Sequence, residues 1–76
     1  MSVLSSPIKQ ENVTAEGILY YVSTVKLIKK NIYETMVFYL NDWYPLRVQR
    51  YITKEEALVG HNDIVYHLKT YGQKWS

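Results

Sequence analysis

The first half of the chain contains two apolar runs, which predict a pair of strands. The runs read ILYYVSTVKLI and IYETMVFYL and are rich in the β-branched and aromatic residues that suit a pleated surface. A short polar break at Lys29, Lys30 and Asn31 separates them. Two strand-like runs joined by such a break are typical of an antiparallel hairpin.

The second run carries two rows of side chains, because alternate residues of a strand point to opposite faces. The more apolar row, which we expect to face the core, comprises Glu34, Met36, Phe38 and Leu40. The other row comprises Tyr33, Thr35, Val37 and Tyr39. Because tyrosine tolerates partial exposure, we expect this second row to stay accessible and to offer a contact surface, as in a dimer.

A third strand is predicted after the turn signal at residues 41–45. Over residues 45–51, apolar and polar positions alternate, which is the pattern of a half-buried strand. Leu46 and Val48 belong to the apolar row, which is expected to be the buried one. Arg50 falls in the same row and is expected near the strand end, where it can reach solvent or a carboxylate.

One helix is predicted, from Lys54 to Tyr71. Thr53 and Glu56 have the spacing of a capping box, in which each side chain bonds the backbone amide of the other residue. Beyond the cap, one helical stripe comprises Ala57, His61, Ile64, Val65 and Leu68. Gly72 supplies a stop signal. Gly60, inside the helix, indicates a close approach of the helix to the sheet.

The predicted fold is a small α+β domain, a three-stranded antiparallel β-meander with one C-terminal helix packed on one face. A chain of 76 residues is expected to be a single domain, and we place it at residues 17–72. Residues 1–16 are polar and lack a sustained period, so they are predicted to be a flexible N-terminal arm. Residues 73–76 are predicted to be a short tail.

Composition excludes several kinds of protein. The chain has no cysteine, so disulfides and thiolate zinc sites are ruled out. Its net charge of +2 is too weak to indicate a polyanionic partner. No apolar run suits a signal peptide or a bilayer span, so we expect a soluble, cytoplasmic protein without membrane contact. A small domain without disulfides or a metal site gains stability from association, so a homo-oligomer is also expected.

No constellation of residues predicts catalysis, a cofactor or a metal site. His61 and His67 lie six positions apart, on different helix faces, so they cannot share a metal as an i, i+4 pair can. His61 is expected at the core edge, with one ring nitrogen bonded to the backbone. Glu34 is expected to pair with Arg50 or Arg47 on a neighbouring strand.

The chain is rich in aromatic residues, with eight tyrosines and two tryptophans. Because such residues are enriched at protein interfaces, the predicted partner-binding residues are Tyr33, Tyr39, Trp43 and Tyr44. The alternative is a nucleic-acid-binding protein with a basic, tyrosine-rich sheet face. Its binding residues would be Lys26, Lys29, Lys30, Arg47 and Arg50. Capture of a small nucleotide between subunits and packing of the rings within one chain are further alternatives.

Three stretches occur in a characteristic order: S-T-V at residues 23–25, E-T-M-V-F at residues 34–38, and R-Y-x-T-x-E-E-A-x-x-G-H at residues 50–61. Together they resemble the pattern of small uncharacterised proteins of tailed bacteriophages and prophages. Many members of that group carry a glycine-rich insertion between the first two strands. In this chain the short polar break of residues 29–31 stands in its place.

The resemblance implies a phage or prophage origin and a cytoplasmic setting in a host cell, but no particular activity. It includes Glu34, Arg50 and His61 among the motif residues, and we expect these to form a polar cluster where the helix start meets the sheet. The expected function is a non-enzymatic protein-interaction module that uses the sheet face and the Trp43–Pro45 turn. Its partner would be a host protein, a phage protein or a second copy, and inhibition of a host or defence protein is one such role.

Overall fold

Four strands and one helix make up the part of the chain that the computed structural model describes, residues 5–73. In chain order they are β1 (Ser5–Ala15), β2 (Ile18–Leu27), β3 (Ile32–Tyr39), β4 (Arg47–Tyr51) and α1 (Lys54–Tyr71). The strands form one antiparallel sheet in the order β1-β2-β3-β4, and α1 packs on one side of it. The predicted α+β class, antiparallel sheet and C-terminal helix are confirmed, but the sheet has four strands instead of three.

The additional strand is β1, so the prediction of a flexible arm over residues 1–16 is wrong for most of its length. β1 pairs with β2 from Ser5 to Ala15, with one register shift between Pro7 and Lys9. Because β1 is an edge strand, it contributes Val13 and Ala15 to the buried core while many of its other side chains are exposed. This explains why its sequence has no sustained apolar alternation. Residues 1–4 of the predicted arm and residues 74–76 of the predicted tail lie outside the described residues.

Backbone conformation at two tight turns explains how the strands fold back on each other. Glu16 and Gly17 connect β1 to β2 with φ angles of 52° and 78°. Two successive residues with positive φ give the tight turn that matches the twist of a hairpin. Between β2 and β3, Asn31 has a φ of 55° and donates its amide to the Leu27 carbonyl at 2.8 Å. The polar break in the sequence is therefore a hairpin turn.

The helix has the predicted bounds, Lys54–Tyr71, and the predicted caps. The Glu56 amide donates to Thr53 Oγ1 at 3.1 Å, and the Thr53 amide donates to Glu56 Oε1 at 3.2 Å. At the other end, Gly72 has a φ of 64° and donates its amide to the Leu68 carbonyl at 2.9 Å. These contacts satisfy backbone groups that a helix end leaves without partners.

The side of the sheet under α1 is the one that we expected to be accessible. We call this side the covered face, and its central residues are Tyr20, Val22, Thr24, Thr35, Val37 and Tyr39. The helix residues buried against it are Ala57, His61, Ile64, Val65 and Leu68. The predicted core row of Glu34, Met36, Phe38 and Leu40 lies on the opposite side, which we call the open face. Val48 of β4 also lies on the open face, so the predicted orientation of both strands is wrong, although Leu46, just before β4, packs against the core.

Side-chain size and polarity explain this choice of face. At the centre of the covered face the side chains are short, and Val22, Val37 and their threonine neighbours are fully buried. A helix can approach such a surface closely, and a Cβ atom at Gly60 would collide with the Tyr51 hydroxyl oxygen. His61 in the helix stripe also needs polar partners, which a row containing Phe38 and other bulky apolar residues does not supply.

Candidate functional site

The open face carries apolar side chains from β2, β3 and β4, and no helix within residues 5–73 lies on it. The register of the strands places these side chains side by side: Leu19, Tyr21, Val25, Leu27, Ile32, Met36, Phe38, Leu40 and Val48. Leu19, Leu40 and Val48 are 47%, 40% and 43% exposed, and the others are half-buried. The solvent face of an antiparallel sheet is commonly polar, so the apolar composition of this face departs from the usual pattern.

Two charged residues of the described strands project from the open face, and they neutralise each other. Arg50 donates from Nε to Glu34 Oε2 at 2.9 Å, across the β3–β4 register. The Glu34 side chain is only 10% exposed, whereas the Arg50 side chain is 62% exposed. The open face therefore presents a guanidinium to solvent but has no net charge in its strands.

An aromatic pair lies within the apolar part of the open face, and a polar margin lies along β1. The rings of Tyr21 and Phe38 are tilted against each other with centroids 6.2 Å apart. The margin consists of Gln10, Asn12 and Thr14, which the register places beside the apolar residues of β2. Gln10 donates from Nε2 to the Ser23 hydroxyl at 2.9 Å. An apolar centre with a polar border is the usual anatomy of a protein interface.

Two of the predicted partner-binding residues, Tyr33 and Tyr39, belong to the covered face. The Tyr39 ring stacks on Tyr20 with centroids 5.8 Å apart, so it is engaged within the fold. Tyr33 lies beneath the Lys26 ammonium, whose nitrogen is 5.9 Å from the ring centroid. Because both rings lie on the side of the sheet that carries α1, neither belongs to the open face.

The other two predicted partner-binding residues, Trp43 and Tyr44, lie in the connection between β3 and β4 and are accessible. Trp43 is 83% exposed and Tyr44 is 68% exposed. Their rings are 6.0 Å apart, and the Tyr44 amide donates to the Asp42 carboxylate at 3.1 Å. This connection presents two large aromatic rings to solvent.

The predicted nucleic-acid-binding residues do not share one face. Lys26, Lys29 and Lys30 lie at or beside the β2–β3 turn. Arg47 and Arg50 are three residues apart on a strand and so project from opposite sides of β4. Arg47 lines a cleft beside α1, whereas Arg50 is on the open face. The result is three lysines at or beside one turn, of which Lys26 lies over the Tyr33 ring, and not a basic sheet face.

The predicted polar cluster of Glu34, Arg50 and His61 is divided by the sheet. Glu34 and Arg50 pair with each other on the open face. His61 lies on the covered side, fully buried, and its ring nitrogens bond other residues. The expectation of a single cluster is therefore wrong, because neighbouring residues of β3 alternate between the two faces.

A continuous chain of hydrogen bonds surrounds His61 instead. Its Nδ1 lies 2.7 Å from Thr24 Oγ1, which in turn lies 2.6 Å from Thr35 Oγ1. Its Nε2 lies 2.8 Å from Glu11 Oε1. We call these four residues the His61 network. The prediction of a backbone partner for His61 is thus replaced by two side-chain partners, one of them on the strand that the sequence pattern did not predict.

The His61 network has the hydroxyl, imidazole and carboxylate of a nucleophilic triad, but its burial prevents that chemistry in this conformation. Thr24 and His61 are both 0% exposed, so no substrate atom can reach the hydroxyl. The network instead satisfies buried polar groups and connects α1 to β1, β2 and β3. The sequence held one signal for it, a histidine within the apolar stripe of the helix, because a buried imidazole needs polar partners.

A cleft of about 500 Å³ lies between α1 and β4. Its lining includes Arg47, Tyr51, Asp63 and His67, so it combines a cation, a phenol, a carboxylate and an imidazole. Burial raises the pKa of Tyr51 above its ordinary value of 10.0; Arg47 acts to lower it and Asp63 acts to raise it. The Tyr51 hydroxyl is therefore protonated at neutral pH and can both donate and accept a hydrogen bond in this cleft.

Within residues 5–73 no group of three or more His, Asp or Glu side chains could hold a metal ion. No helix in the same part of the chain has the length and apolar character needed to cross a membrane. No protein-family model, curated protein sequence or solved structure matches the chain.

Proposed function

We propose that this chain is a protein-interaction module that binds another protein through its open face, with the Trp43–Tyr44 pair as a second contact element. The observation that carries this proposal is the composition of the open face, which is apolar over three strands and has no net charge. Within the described residues, α1 covers the opposite side of the sheet.

The size of the apolar area supports the proposal. Three strands about 4.8 Å apart, each contributing a side chain every second residue along about 30 Å, give a projected area of about 400 Å². Contiguous apolar patches of a few hundred Å² are the largest that monomeric proteins usually expose, and they are often functional. Binding a protein would remove this surface from water.

The chemistry of the open face favours a protein surface over a nucleic acid. The cation on this face, Arg50, is already bonded to Glu34, so little positive charge is left for phosphates. Aromatic side chains and arginine are the residues that most often dominate protein interfaces, and Tyr21, Phe38 and Arg50 are of these types.

The sequence resemblance adds a biological setting to the proposal. It suggests a phage or prophage origin and a partner among host or phage proteins. Blocking a host or defence protein through the open face is the role that would fit this origin. This part of the proposal rests on the resemblance of the three stretches at residues 23–25, 34–38 and 50–61 alone.

The test is an affinity pull-down from bacterial lysate with the tagged 76-residue chain, treated with nuclease and washed at high salt. Wild type is compared with Phe38→Lys and Val48→Lys, which place a cation on the open face. Val59→Lys is the matched control, because Val59 is 61% exposed on α1. Circular dichroism of each variant verifies that it is folded.

A protein that wild type and Val59→Lys retain, and that both open-face variants lose, would support the proposal. Proteins retained equally by all four chains would contradict it. Recovery of nucleic acid that is lost on nuclease treatment or at high salt would favour a nucleic-acid partner instead.

A nucleic-acid-binding function is the second candidate, favoured by the lysines at the β2–β3 turn. Lys26 lies over the Tyr33 ring, Lys29 and Lys30 follow in the turn, and a tyrosine with a nearby cation can stack on an unpaired base. Fluorescence anisotropy with labelled single-stranded oligonucleotides tests it. The double variant Lys26→Glu plus Lys30→Glu should abolish a salt-dependent affinity, whereas the neutral change Phe38→Ala should leave it unchanged.

A further inference from the structure

We propose that the partner on the open face is a second copy of this chain, so that the protein is a two-fold symmetric dimer with its two sheets packed face to face. This inference rests on the proposed function, since it assigns a partner to the same surface. The resulting β-sandwich would have the two helices on its outer sides and a second apolar layer between the sheets, with the sheets about 10 Å apart.

Charge is the first argument for a second copy. In a two-fold dimer the same patch meets itself, so the patch must be complementary to itself. A patch with a net charge would repel its own copy. The whole chain has a net charge of +2, but the charge of the patch itself decides whether two patches repel each other. On the strands of the open face, Glu34 and Arg50 cancel, and the charged side chains of Lys9, Glu11 and Lys26 belong to the covered side. Two copies can therefore approach without repulsion between their faces.

The fate of Arg50 on stacking is the second argument. Its side chain is 62% exposed, so a second sheet would cover much of it. Burial of a charge is costly when its partner is absent, but Arg50 keeps its 2.9 Å bond to Glu34. The dimer therefore buries a paired arginine, which is a common anchor of protein interfaces.

Area is the third argument. Four strands about 4.8 Å apart, paired over about eight residues of 3.4 Å each, give a projected face of about 500 Å² per copy. Two copies together would bury at least about 1,000 Å², which is the size at which specific interfaces begin. The accessible area is larger than the projected area because the side chains are uneven. The face is thus sufficient for a dimer of moderate affinity without a further surface.

The test is analytical ultracentrifugation of the untagged 76-residue chain from low micromolar to near-millimolar concentration. Wild type is expected to approach twice the mass of one chain as concentration rises. Phe38→Lys and Val48→Lys should each raise the dimer dissociation constant by at least about 10-fold, the effect of losing an interface anchor. Val48 is already 43% exposed, so its variant is expected to fold, and Val59→Lys should dimerise like wild type.

Two results would overturn the dimer. A wild-type chain that stays monomeric over the whole range would do so, as would a dimer that neither open-face variant weakens. If the wild type is monomeric but the pull-down retains a protein that Phe38→Lys loses, the dimer fails while the proposed function stands. If neither measurement responds to the open-face variants, both proposals fail.

Discussion

Thr24→Val is the substitution that tests the His61 network most directly. Valine has nearly the shape of threonine, so the change removes a hydroxyl without leaving a cavity. Thr24 is the bridging member, since its oxygen lies 2.7 Å from His61 Nδ1 and 2.6 Å from Thr35 Oγ1. Its loss leaves two fully buried polar groups without these partners.

The expected loss in the free energy of unfolding follows from these two buried groups, His61 Nδ1 and Thr35 Oγ1, which lose their partner. A buried polar group without a partner costs about 1–3 kcal/mol, so Thr24→Val should lower the free energy of unfolding by about 3 kcal/mol. A 76-residue chain is expected to have about 4–11 kcal/mol in total, so this loss is a large fraction. His61→Leu removes one partner of Thr24 but leaves the 2.6 Å contact between the threonines, and it should cost about 2 kcal/mol.

The triple variant Thr24→Val, Thr35→Val and His61→Leu separates the cost of unpaired groups from the net contribution of the network. Replacing all partners by apolar groups of similar shape is often nearly neutral, so the triple variant should be within about 1 kcal/mol of wild type. Glu11 then loses His61, but its side chain is 35% exposed and can be hydrated. The triple variant should therefore be more stable than Thr24→Val alone.

The assay is urea unfolding followed by far-ultraviolet circular dichroism, with every chain at one concentration because association would change apparent stability. Thr70→Val is the matched control, since Thr70 is exposed on α1 and lies away from the open face, and it should change the unfolding free energy by less than about 0.5 kcal/mol. A Thr24→Val chain as stable as the control, or a triple variant no more stable than Thr24→Val, would refute this reasoning.

Three further predictions concern α1 and the residue packed against it. Thr53→Ala should cost about 1 kcal/mol in urea unfolding through loss of the cap, and Thr53→Asp should restore most of it. Gly60→Ala should stabilise a Tyr51→Ala chain by about 1 kcal/mol through helix propensity. In the wild-type background the new Cβ would collide with the Tyr51 hydroxyl, so this gain in stability should be lost or reversed. Equal effects of Gly60→Ala in both backgrounds would contradict the close packing of Tyr51 against Gly60. Burial raises the pKa of Tyr51, so the folded state favours the neutral phenol. The stability that the neutral phenol contributes is fully present below the ordinary pKa near 10. It is lost as the pH rises through the raised pKa of the folded state. The urea midpoint of Tyr51→Phe should therefore fall less than that of wild type as pH rises above 10, and parallel curves would contradict this.

The helix was predictable from sequence because the signals that define it are local. The capping box of Thr53 and Glu56 and the stop at Gly72 each act within one helical turn. The stripe from Ala57 to Leu68 needs only the period of the helix itself. The hairpin at residues 28–31 was predictable for the same reason, since its polar break separates two strong strand-forming runs.

Strand β1 and the orientation of the sheet were not predictable in this way. β1 is stabilised by pairing with β2 and by long-range contacts such as Lys9 Nζ to Asn62 Oδ1 at 2.9 Å, none of which its own sequence displays. For β3, the two rows of side chains were both plausible cores. Side chains alternate with a period of two, so the choice of the buried row is made once for the whole strand. A single misjudgement of which row is more apolar therefore reverses the assignment of every residue.

The linear order of residues was sufficient to establish the elements from Ile18 to Tyr71, the fold class and the absence of cysteine chemistry. Which face α1 covers depended on how closely a helix carrying Gly60 and His61 can approach short side chains. That approach joined Glu11 to His61 across 50 positions and left the bulkier apolar row on the open face. Alternation along a strand identifies two faces, but the shape and hydrogen-bonding needs of the element packed against them select the one that is buried.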